Sequence, residues 1–269
     1  MIAQGHSIIM PPSAGQFIIR ALRFAHRRAL RMCLNPMIWR QTGGRVAGGP
    51  FVGMRCIRSS IGSEWPPKLL GTYELELAEI IEEVVRRDYD CIVNIGAGEG
   101  YYAVGLALRI PQAQVICFEL DPRGRRLIHA LAGLNGVLER ADVRGRCTIE
   151  SLRWAIPSSG RTLIVCDAEG DEFTLLRPEM LEKLCRVDVL VELHDFVHEG
   201  IGQIMRTIFA TSHQIREISS RPRTVANYPE TVCITSKYIP LLLSEERPVG
   251  MAWLWMTARC RSFCAPSGG

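Results

Sequence analysis

The chain has 269 residues and a mass of 30.1 kDa, enough for one large domain or one domain with additions. Apolar residues make up 47% and charged residues 22%, which excludes a wholly disordered chain, a collagen-like chain and a coiled-coil rod. The net charge of +4 is unevenly spread: residues 1–64 carry nine Arg against Glu64 alone, a balance of +8, and the remainder has a balance of −4. Such a basic region is a solvated face, or it attracts nucleic acid or an anionic membrane surface. No run reaches the roughly 18 apolar residues of a membrane-spanning helix.

Residues 1–16 read as disordered and lack the charged-then-apolar order of a signal peptide. Residues 17–40 set apolar side chains among arginines, an imperfect amphipathic helix expected to end before Pro36. Residues 41–71, rich in Gly and Pro, read as loops with short extended pieces. Residues 1–70 thus form a basic N-terminal extension, residues 71–260 a domain and residues 261–269 a tail.

From Tyr73 the pattern is regular. TYELELAEIIEEVVRR places Leu77, Ile80, Ile81, Val84 and Val85 on one stripe, with acids early and Arg86–Arg87 at the end, as a helix dipole favours. Strands are predicted at 91–95, 114–119, 162–166, 187–192, 213–218 and 251–257. Helices are predicted after the first strand (YYAVGLALR) and at 122–135, 172–185 and 200–210. Strands alternating with helices imply an α/β fold, a parallel sheet covered on both faces.

Ten cysteines are present. Cys91, Cys117 and Cys166 fall inside apolar strands and read as small buried hydrophobes. No CxxC pair occurs, so neither a zinc ribbon nor a redox motif is indicated. Cys260 and Cys264, four apart, leave a metal or disulfide role open. This usage reads as that of a reducing cytoplasm.

The chemical signal is IVNIGAGEGYY, residues 92–102. Gly96, Gly98 and Gly100 lie between a buried strand and a helix, where glycine lets the backbone turn sharply and approach a ligand. Amides at the following helix start, around Tyr101, favour an anionic group. Glu119 ends the next strand, where a carboxylate can accept hydrogen bonds from ribose hydroxyls. The run is GxGxG rather than GxGxxG, which favours S-adenosyl-L-methionine over a dinucleotide.

VNIGAGEGYYAVGLAL followed by VICFELDP resembles the first two cofactor motifs of class I methyltransferases. TLIVCDAEGDEFTLL followed by VDVLVELHDF resembles the FkbM-type members, whose pattern reads roughly IDVEG-x-E-x-x-LL and then a strand ending E-x-H. The resemblance covers about residues 71–218, and MAWLWMT is similar to the closing strand of that fold. It implies a Rossmann-like doubly wound sheet of seven strands with an antiparallel final strand, S-adenosylmethionine as donor, and methylation of a hydroxyl on a small molecule or glycan. Asn94 stands where such proteins commonly carry an acid, and Arg146 and Cys147 interrupt the usual adenine-binding position.

Ligands of an open parallel sheet sit beyond the carboxyl ends of its strands. Asp167, Glu169, Glu192 and His194 are therefore expected to face one cleft, with His194 as general base. Asp167 would position the acceptor or the cofactor's ammonium, and Glu169 is next in line as base. Asn94, Gly96, Gly98, Gly100, Tyr101 and Glu119 are the expected cofactor contacts. No metal ligand is assigned, although Asp167, Glu169 and His194 could hold one. Residues 219–250 either cap the acceptor through Arg221, Arg223 and Tyr228 or pack as a local core. A nucleic-acid methyltransferase and a non-catalytic binding protein remain the alternatives.

Overall fold

A computed structural model describes residues 14–248 and 250–259. Its helices are α1 (Ala14–Thr42), α2 (Trp65–Leu70), α3 (Ala78–Arg87), α4 (Tyr101–Arg109), α5 (Pro122–Leu134), α6 (Ile149–Ala155), α7 (Glu172–Leu175), α8 (Leu181–Leu184), α9 (Ile201–Phe209) and α10 (Ile239–Leu243). The strands are β1 (Cys91–Ile95), β2 (Gln114–Phe118), β3 (Ala141–Arg144), β4 (Thr162–Cys166), β5 (Asp188–Leu193), β6 (His213–Ser219) and β7 (Ala252–Ala258).

The seven strands form one Rossmann-like, doubly wound sheet in the order β3-β2-β1-β4-β5-β7-β6. Strand β7 is antiparallel to both β5 and β6, and the other pairings are parallel. The chain enters at β1, steps out to β3, then crosses back to β4 and builds the other half. That reversal opens a crevice at the carboxyl ends of β1 and β4, where such sheets bind ligands. In β1, β4 and β5 every residue is buried, which explains their continuous apolar runs. Side chains alternate across the sheet: Ile92 joins one core, and Val93 and Ile95 join the other. Asn94 shares the face of Ile92, and its register partners are Cys117 and Val165.

Helix α1 departs from expectation. It begins at Ala14, inside the segment expected to be disordered, and runs through Pro36 to Thr42. A proline inside a helix costs about 3 kcal/mol. Leu34 and Ile38, on either side of it, are buried in the main core, and burial contributes about 1.5–3 kcal/mol for each such side chain. Trp39 stacks on Trp65 at 5.9 Å between ring centroids. Packing on both sides of the proline therefore offsets the lost hydrogen bond. Val46, Phe51, Met54, Leu69 and Leu70 join the same core, so much of residues 34–70 packs against the sheet domain.

Other differences are local. The helix predicted at 172–185 is broken into α7, a 3-10 turn (Pro178–Met180) and α8, because Pro178 has no amide hydrogen to continue the ladder. Strand β3 had no prediction. The tail and Cys260 and Cys264 lie outside the described residues, as do residues 1–13. The other cysteines, including Cys91, Cys117 and Cys166, are free thiols. Among the described residues no helix is long and apolar enough to cross a membrane.

Candidate active site

A cleft of about 430 Å³ opens at the carboxyl ends of β1 and β4. Asn94, Gly96, Gly98, Tyr101, Glu119, Asp167 and Glu169 line it, as do Glu192, Arg146 and Cys147. Of the expected site residues, Gly100 and His194 are not in its lining.

The three glycines of the turn have separate duties. Gly96 has φ +70°, and a Cβ there would sit 1.6 Å from the Asp167 carbonyl oxygen, so only glycine lets β1 and β4 approach. Gly100, at φ +93°, precedes α4 and packs on Ile128. Gly98, at φ +57°, is open: the nearest atom to an added Cβ is the Ile61 carbonyl oxygen at 3.6 Å. Gly98 is thus the glycine whose bare backbone faces space a ligand can use.

Glu119 accepts from the Gly98 amide (2.7 Å) and from the Asp121 amide (2.8 Å). It fixes the turn, and each carboxylate oxygen keeps a second lone pair. Asn94 donates to the Val165 carbonyl (3.3 Å), while its Oδ1 is buried with no hydrogen-bond partner. A buried unpaired acceptor costs about 1–3 kcal/mol, so a donor in the cleft would be favoured there.

Glu99, in the middle of the turn, had no assigned role. It is buried, pairs with Lys68, and accepts from Ser60 Oγ (2.9 Å) and the Ile61 amide (3.1 Å). It thereby holds residues 60–63 against the turn, where Ile61, Gly62 and Ser63 complete one cleft wall. Lys68 also lies 4.7 Å from the Tyr73 ring centroid.

At the far wall, His194 is buried behind Asp167 and Glu169. Its Nδ1 is 2.7 Å from Glu172 Oε1, and Glu172 is completely buried at the start of α7. Burial works against ionisation of Glu172, but the His194 hydrogen bond and charge outweigh it and lower its pKa. An ionised carboxylate only accepts, so Nδ1 carries a proton. Nε2 then points towards Glu169 Oε2 (3.5 Å) and Asp167 Oδ1 (3.6 Å). Burial opposes protonation of the ring, yet Glu172, followed by Asp167 and Glu169, raises its pKa above the usual value.

Asp167 keeps 39% of its side chain exposed to the cleft. Desolvation, reinforced by Glu74 and Glu169, pushes its pKa to about 7 against the pull of His194 and Arg247. Glu169 sits at φ +52°, a left-handed conformation unusual for a non-glycine residue, and its carboxylate is exposed on the rim. Glu192 is buried, and its pKa is raised by desolvation and by Asp167 and Glu74.

The cation among these acids is Arg247. It bonds Glu192 Oε1 (2.5 Å), Glu245 Oε2 (2.8 Å), Tyr73 Oη (2.7 Å) and Glu74. Of the two purposes expected of segment 219–250, packing as a local core is the one seen, and none of its described residues lines the cleft. Val232, Ile239, Leu242 and Leu243 are buried in the core, and Arg247 reaches the acids at the cleft. Arg221, Arg223 and Tyr228 are not in the lining; Arg223 pairs with Glu76 (2.5 Å) and Glu245 (2.6 Å).

No family model matches the chain, and no curated protein matches it. Solved structures similar to it include an O-methyltransferase from Bacillus cereus in complex with SAH, at 14% identity over 65% of this chain and 78% of that one, TM-score 0.43. The O-methyltransferase TomG from Streptomyces achromogenes, in complex with SAM, shows 13% identity over 65% and 77%, TM-score 0.43. The C-terminal domain of precorrin-6Y C5,15-methyltransferase from Rhodobacter capsulatus shows 12% identity over 68% and 87%, TM-score 0.44.

Proposed function

We propose that the chain transfers a methyl group from S-adenosyl-L-methionine to an oxygen of a small molecule or glycan. The observation that carries this reading is the open Gly98 backbone beside an unpartnered, buried Asn94 Oδ1 in the crevice between β1 and β4. When bound, the cofactor supplies a methyl on a cationic sulfur that leaves as a neutral thioether. Glu119 would take the ribose hydroxyls on its free lone pairs. Asn94 Oδ1 would take the ammonium, as a neutral acceptor in place of the usual acid. The FkbM-type reading gains support from contact between its two motifs: Glu172 of DAEGDE binds His194 of ELH.

The acceptor's proton goes to Asp167, the carboxylate that faces the cleft. A pKa near 7 suits a base at neutral pH. Asp167 would take the hydroxyl proton as the acceptor oxygen received the methyl group that the bound cofactor would supply. His194, fixed by Glu172, acts from behind by stabilising the Asp167 carboxylate, and Glu169 stands at the rim beside it. Calorimetric titration with S-adenosylhomocysteine, followed by labelled-methyl transfer to fractionated cell extract, tests the reading. Binding with label entering a small-molecule or glycan fraction is expected. A chain that binds neither S-adenosylmethionine nor its demethylated product would overturn the assignment.

A further inference from the structure

We infer that the outer face of α1, with the groove beside it, docks the protein on a bilayer containing anionic lipid. The inner face of the helix is committed: Leu34 and Ile38 enter the core, and Arg27 and Arg31 pair with Glu246 at 2.7 and 3.2 Å. The outer face is apolar yet uncovered. On it Leu22 is 65% exposed and Met32 69%, with Met37, 50% exposed, at its margin. At 100° per residue, Leu22, Ala25, Ala29, Met32 and Pro36 form one outward stripe. Arg40 closes that stripe and Arg28 flanks it, both exposed.

Charge selects the occupant. The helix sequence contains no acid, and the neighbouring Glu64 and Glu246 are neutralised by Arg27 and Arg31. Beside the helix a groove of about 480 Å³ carries His26, Arg27 and Lys237 on walls that include Leu30, Tyr238 and Leu241. Lys237 above these apolar walls suits an anionic headgroup with the start of its acyl chain. An apolar stripe edged by arginine is the pattern of a helix lying in a membrane interface. A nucleic acid would use the arginines but leave the Leu22, Met32 and Met37 side chains against water.

Sedimentation of the full chain with vesicles tests the inference. Binding is expected to phosphatidylcholine vesicles containing phosphatidylglycerol and not to phosphatidylcholine alone, and it should weaken as salt rises. Arg28→Gln should weaken partitioning about fivefold, the value of one cation near an anionic surface. Leu22→Glu with Met32→Glu should abolish it while circular dichroism and melting stay unchanged, because both side chains are exposed. Absence of binding to the anionic vesicles at low salt overturns the inference. So does undiminished binding by the double variant, or capture of a single-stranded RNA oligonucleotide by a chain that ignores the vesicles.

Discussion

Gly96 and Gly98, two residues apart, separate folding from binding. Gly96→Ala drives a methyl into the Asp167 carbonyl oxygen, and thermal unfolding should show a large loss of stability. The Cβ that Gly98→Val adds meets only ordinary contact at 3.6 Å, and the left-handed backbone adds about 1–2 kcal/mol of folding cost. Calorimetry should nevertheless find S-adenosylhomocysteine binding lost, because the side chain fills the space the ligand needs; retained binding would sink the cofactor assignment. Asp167 carries a pH prediction. Its pKa is raised from 3.8 to about 7, so between these values the folded chain holds a proton that the unfolded chain has lost. Stability from this group is therefore complete below about 4 and falls as pH rises to about 7. Turnover moves the opposite way, rising through pH 7 as the base loses its proton. Asp167→Asn should flatten this part of the stability profile and remove most turnover, general bases being worth about 10²–10⁴-fold. A variant with an unchanged acidic limb would show that another group takes the proton.

At the scale of elements, burial decided what could be read in advance. Strands β1, β4 and β5 are buried on both faces and so are written as apolar runs, which the sequence shows directly. Strand β3 is ADVR, partly exposed along its length at the sheet edge, and it has no such run to find. The glycine turn, Glu119, Asp167 and Glu169 were legible because they follow strands. His194 was placed at the end of β5 but expected in the cleft; the helix start at 172 was read, but not that Glu172 would draw the ring behind Asp167. Arg247 gave no local signal, standing in a loop 55 residues from the Glu192 it bonds. Its weight is testable. Arg247→Met would leave Glu74, Glu192 and Glu245 without this shared cation, and breaking a buried pair this way costs about 3–5 kcal/mol. Urea unfolding at neutral pH should show that loss, and acidification should lessen it as Glu192 and Glu245, whose pKa values burial raises, take up protons. A variant as stable as the parent at pH 7 would mean that Glu192 and Glu245 are already neutral in the folded chain.

Across the whole molecule, α1 is both an outer surface and a strut. Leu34 and Ile38 enter the core. Arg31 binds Glu64 at 2.9 Å, next to the 60–63 wall of the cleft, and donates to the Leu241 and Ser244 carbonyls. Gln41 exchanges two hydrogen bonds with the backbone of Cys233. The helix thus grips the segment whose Arg247 reaches the acids of the active site. Removing residues 1–42 should therefore do more than abolish surface binding. Loss of Leu34 and Ile38 removes about 1.5–3 kcal/mol each, and freeing residues 233–247 loosens the hold on Glu192 and Glu74. The truncated chain should melt well below the parent and bind S-adenosylhomocysteine more weakly, whereas the Leu22→Glu, Met32→Glu chain should match the parent in both. If the truncated chain keeps its melting temperature and its affinity, the helix is a detachable surface anchor and the strut role fails. If the double variant melts as low as the truncation, the outer face is part of the packing and the surface reading fails with it.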